Sequence, residues 1–108
     1  MRDDFPSPRV FTYLVQTGRA ETDNLPAAAT GAAMMCYAPG CDQESTGKEV
    51  FASLQNAGYA VTEVAGFGAL EERLAAGHPI SDEERLLMEE ALAHDKLVIA
   101  QKKPLFAV

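Results

Sequence analysis

The run Ala32-Ala33-Met34-Met35-Cys36-Tyr37-Ala38, stopped by Pro39-Gly40 and followed by the acidic stretch Cys41-Asp42-Gln43-Glu44, decides how this chain is read. Gly31 and Pro39-Gly40 hold the apolar run to strand length, which favours a strand although Ala and Met are good helix formers. Downstream, Thr46 and Glu49 stand at capping-box spacing. Val50, Phe51, Leu54 and Ala57 then recur as one helical stripe, with Gly58 as the stop. Residues 32–58 therefore predict strand, turn, helix. Both cysteines fall near the end of the strand, where α/β proteins tend to hold ligands.

Upstream, residues 10–16 are β-branched and aromatic and predict a first strand. Phe11, Tyr13 and Val15 would face one way, and Thr12, Leu14 and Gln16 the other. Residues 1–9, with two prolines and mixed charge, form an expected loose tail, leaving 10–108 as a single domain. Residues 19–24 read as a polar loop, and 25–30 as a short helix or wide loop. Downstream, 59–65 predicts a strand closed by Gly66-Phe67-Gly68, and 69–76 a short helix ended by Gly77. A second capping box, Ser81 with Glu84, opens a helix that runs to about His94. Residues 96–101 predict the last strand, ended by Lys102-Lys103-Pro104, with an apolar tail over 105–108.

This order implies an α+β fold: a two-layer α/β sandwich of about four strands, with two main helices on one face of the sheet. In general architecture it resembles ferredoxin-like sandwiches, although here two strands precede the first long helix. Residues 10–16 are apolar on both sides, and so is the stretch from Met34 to Tyr37. The face away from the helices therefore needs a cover. A second copy of the chain is the expected cover, with the apolar tail as the alternative, so a homodimer through the sheet is expected.

Composition narrows the function. In 108 residues, 16 acidic side chains outnumber 9 basic ones, for a net charge of −7. That charge repels phosphate backbones, and the only tight basic pair is Lys102-Lys103, so nucleic acid is not an expected partner. No apolar run approaches membrane-spanning length, so no membrane partner is expected. The first residues lack the apolar core of a signal peptide. The expected location is cytoplasmic, with both cysteines as thiols.

Chemistry-bearing residues are few. Gly40 and Gly47-Lys48 do not make a P-loop, because six residues intervene and Glu49 follows the lysine. A helix N-terminus there still offers amides, so Ser45, Thr46 and Lys48 are candidates to hold a small anion. Cys36 and Cys41 lack paired metal-ligand spacing, and neither a metal nor another cofactor is expected. Cys41, in a loop, is a candidate nucleophile, although Asp42 and Glu44 oppose its ionisation. His78, between Gly77 and Pro79, is a candidate acid or base. Asp42 is a candidate base or nucleophile and Tyr37 a candidate hydrogen-bond donor. Their ordinary readings are surface thiol, turn residue, cap and core-edge aromatic. Two functions follow. The first is a non-enzymatic dimeric domain that binds a small molecule or a protein partner. The alternative is a small enzyme whose pocket lies between loops 38–45 and 66–79.

Overall fold

The computed structural model describes residues 8–20 and 25–106. In chain order the elements are β1 (Arg9–Thr17), β2 (Ala29–Gly40), α1 (Gln43–Asn56), β3 (Val61–Ala69), α2 (Leu70–Ala75), α3 (Asp82–His94) and β4 (Val98–Phe106). The strands form one antiparallel sheet in the order β3-β1-β2-β4.

The β1–β2 register runs unbroken from Arg9 opposite Gly40 to Thr17 opposite Ala32. Side chains alternate across it, and both sets are apolar. Phe11, Tyr13 and Val15 share one face with Met34, Cys36 and Ala38, packed under Val50 and Leu54 of α1. Val10 and Tyr37 lie on the opposite face, packed under Met88 and Ala91 of α3. The helices therefore cover both faces, which corrects the expected two-layer sandwich with its helices on one side. The expected ferredoxin-like arrangement does not extend to this sheet.

Topology supplies the reason. β2 and β3 are both antiparallel to β1, so they run parallel to each other on either side of it. α1 makes the crossover between them on one face. The chain must then travel from the β3 edge to the β4 edge, and α2 with α3 make that passage across the other face. The apolar second face is thus covered from within the chain.

Three boundaries differ from the sequence reading. α1 starts at Gln43 because Asp42 is its cap, accepting from the Ser45 amide at 2.8 Å. The box expected at Thr46 and Glu49 is therefore inside the helix. β2 starts at Ala29, three residues before the expected strand, after a turn closed by Ala29 N–H on the Pro26 carbonyl. β4 runs on through Lys102-Lys103-Pro104 to Phe106, so Leu105 and Phe106 extend an edge strand rather than form a tail. A proline and exposed lysines are tolerated there because one side of β4 has no ladder to complete. The second capping box stands as read: Ser81 Oγ accepts from the Glu84 amide, and Glu84 accepts from the Ser81 amide. The expected tail 1–9 falls mostly outside the described residues, apart from Pro8 and Arg9, which opens β1. No helix among the described residues is long and apolar enough to cross a membrane.

Candidate functional site

The turn into α1 positions the first group of candidates. Asp42 Oδ1 holds the Ser45 amide, and the Ser45 hydroxyl donates to Asp42 Oδ2. These bonds hold the Asp42 carboxyl below the usual range. Asp42 is therefore committed as a helix cap, and Ser45 is committed to Asp42. Thr46 is buried, tight against Gly40. Lys48 is exposed and sits 3.9 Å from Glu44. The three candidate anion ligands thus face different surroundings: Lys48 lines the space between α1 and β3, and Thr46 lines a separate one beside Ala38 and Leu97. Cys41 is exposed, whereas Cys36 is buried, and burial pushes its thiol up to about 11.

α1 and β3 flank an open cleft of about 610 Å³. It is lined by the Tyr13 ring, Phe51 and Val64, beside Gln43, Glu44 and Lys48. Tyr13 is fixed by its hydroxyl, which donates to the Gln43 carbonyl at 2.6 Å. Burial, reinforced by the Asp42 charge, raises its phenol to about 12. A bare backbone shapes two walls: Gly47 lies against the Tyr13 ring, and a Cβ at Gly66 would strike the Gln43 side chain at 2.7 Å. The C-terminal ends of β2 and β3 lie on either side of the start of β1, Gly40 opposite Arg9 and Ala69 opposite Phe11, so the two strands run parallel without pairing.

His78 is not at that end. α2 carries the chain to the opposite face, where a polar cluster sits on the sheet. Arg73, 8% exposed, donates from Nη1 to the Thr12 hydroxyl at 3.0 Å and from Nε to His78 Nδ1 at 3.3 Å. Tyr37 donates to Glu84 Oε1 at 2.9 Å, and Arg73 is near enough to act on both of these groups. Burial first, then the bond to Glu84, raises the Tyr37 phenol to about 12. Bonding to the Ser81 amide first, then to Tyr37, lowers the Glu84 carboxyl. Thr12, Leu14, Met35, Phe67, Arg73 and His78 line a half-open cavity of about 250 Å³.

The four candidate catalytic residues therefore divide. Tyr37 and His78 share the neighbourhood of Arg73, whereas Cys41 and Asp42 lie beyond the end of β2. At ordinary strand rise, Cys41 is roughly 20 Å along the chain from Met35, which lines the His78 cavity. The α1–β3 cleft takes Gln43 and Glu44 from the first loop range and Gly66 from the second, whereas α2 carries His78 away to the other face of the sheet. Among the described residues no group of three His, Cys, Asp or Glu side chains is placed to hold a metal ion.

The sequence reading passed over Arg73 and Thr12. Arg73 was one charge in the run Glu71-Glu72-Arg73, and Thr12 one polar position in an apolar strand. A threonine on a strand face otherwise marked for burial was the available signal, since a buried hydroxyl needs a partner.

Over residues 10–106 the chain matches the model of a protein family described as Domain of unknown function (DUF8846). No curated protein and no solved structure shows significant similarity to it.

Proposed function

The chain belongs to the DUF8846 family, and we propose that it is a non-catalytic α+β domain that binds a small molecule in the cleft between α1 and β3. The observation that carries this reading is the build of the cleft. Its volume of about 610 Å³ lies in the usual range for small-molecule sites, and Tyr13, Phe51 and Val64 stand beside a few polar groups in its lining. The chemistry-bearing side chains beside it are already committed to structure: Asp42 caps α1, and the Tyr13 hydroxyl is bonded to the Gln43 carbonyl.

Charge suggests the ligand class. Glu44 offsets Lys48 beside the cleft at 3.9 Å, and the chain as a whole carries a net charge of −7. An aromatic body with a neutral or cationic head suits these surroundings better than an anion. Tryptamine and indole are suitable probes. Tryptamine should shift the backbone amide resonances of Gly47, Lys48 and Val64, and Val64→Trp, which fills the cleft, should abolish those shifts. Absence of shifts with both probes would reject the cleft as the site.

The homodimer belongs to the same proposal in a narrower form. With both sheet faces carrying helices, the surface left for a second copy is the apolar end of the β4 edge strand, where Leu105 and Phe106 are 38% and 52% exposed. Native mass decides: a dimer weakened by Phe106→Glu supports pairing there, and a monomer ends it.

A further inference from the structure

The geometry points to a second binding site, on the α2–α3 face, that takes a small organic monocarboxylate with Arg73 as its anchor. The argument begins with the cost of the buried charge. Arg73 is more than nine-tenths buried, yet its hydrogen-bond acceptors are both neutral: the Thr12 hydroxyl and His78 Nδ1. A buried guanidinium is costly unless an anion neutralises it. No described carboxylate lies in ion-pair contact with it. Glu84, the acid that acts on it electrostatically, has Oε1 engaged by Tyr37 and Oε2 by the Ser81 amide.

The second observation is the cavity. Arg73 lines a space of about 250 Å³, alongside Thr12 and His78. The remaining walls are Leu14, Met35 and Phe67. Guanidinium has five N–H donors in a planar fork; Thr12 and His78 occupy two of them, and the Tyr37 hydroxyl lies close to a third. The remaining donors suit a carboxylate, which the fork can bind through two parallel bonds. The apolar walls suit a short hydrocarbon or aromatic body. The space opens to solvent beside the exposed Phe67 and His78, so a carboxylate on Arg73 can project a benzene-sized body over Leu14 and Met35.

His78 has a defined part in this site. Its Nδ1 accepts from Arg73 Nε, which leaves Nε2 to carry the imidazole proton. The exposed ring thus closes one wall while holding the fork in plane. It is a positioning residue, and Thr12 is the other. This site stands apart from the α1–β3 cleft and does not depend on it.

The test uses the intact chain, with benzoate as probe and benzamide as its neutral isostere. Benzoate should bind in the millimolar range, with amide shifts at Thr12, Met35 and Arg73 and nuclear Overhauser contacts from its ring to the Leu14 and Met35 methyls. Benzamide should bind at least tenfold more weakly, because it lacks the charge. Arg73→Gln should reduce benzoate affinity at least tenfold, and His78→Ala by a smaller factor. Val64→Trp should leave benzoate binding unchanged, which separates this site from the cleft. The contacts to the Leu14 and Met35 methyls are read on the native chain, so the test holds even if Arg73→Gln fails to fold. No binding of benzoate, equal binding of benzamide, or contacts elsewhere on the surface would overturn the proposal.

Discussion

Arg73 shows how one residue acquires meaning from its neighbours. On paper it balances Glu71 and Glu72; in the fold it reaches under α2 to Thr12. Replacing Thr12 with Val removes a hydroxyl that a buried cation uses. The expected loss is about 1–3 kcal/mol of stability, read from chemical denaturation. The cysteines differ as sharply. Cys36 is buried with its thiol raised to about 11, and Cys41 is exposed. At about pH 8 Cys41 should be labelled by a thiol reagent at once, with Cys36 roughly 100-fold slower or more, since it reacts only when the chain opens. Equal rates would show that β2 is not held in the sheet. Burial of Cys36 at 0% exposure was legible from its place in an apolar strand, whereas the role of Arg73 was not, because its partner stands 61 positions away.

At the level of elements, local chemistry and tertiary contact can be separated. The α3 cap is local: Ser81 and Glu84 satisfy each other three residues apart. Ser81→Ala should cost about 1 kcal/mol and fray the first turn, seen as faster amide exchange at Glu83 and Glu84. The α1 start was misplaced because two residues competed for the cap, and the position nearer the strand end prevailed. Asp42 has the shorter reach to the free amides once β2 ends at Gly40. Helix α1 then ends in the glycine signal read from sequence, with Gly58 at φ 97°. The β1–β2 hairpin depends on a different glycine. A Cβ at Gly31 would overlap the Thr17 carbonyl oxygen. Gly31→Ala should therefore cost about 1–3 kcal/mol, measured as a lowered denaturation midpoint, because backbone cannot move aside as a side chain can.

For the whole molecule, protonation sets the alkaline limit. Tyr13 and Tyr37 are each raised from 10.0 to about 12, and Cys36 from 9.0 to about 11, all chiefly by burial. The folded state keeps these protons longer than the unfolded chain does. Their contribution is therefore fully present below the unfolded values. It falls as pH rises from about 9 and is gone by about 12. Urea midpoints should stay level up to about pH 9 and fall steeply above it; a flat profile to pH 12 would mean that these side chains are not buried. The β4 edge is a second whole-molecule property. Lys102 and Lys103 on an outer strand discourage further strand addition, and Pro104 lacks the N–H that another strand would need. Replacing all three with Val should raise the native mass or the light scattering of the purified chain.

By itself the sequence determined the element types and their order, the alternation that buries β1 and β2 on both sides, and the cap of α3. Each of these depends on residues within a few positions of one another. It also showed that the second sheet face needed a cover. Only the tertiary structure decided that α2 and α3 provide it, because a two-sided apolar strand looks the same under a helix of its own chain or a partner's surface. The tertiary structure likewise placed His78 and Tyr37 around Arg73 and left Cys41 and Asp42 beyond the end of β2. Strand order and crossover path fix those distances, and neither is written in local spacing.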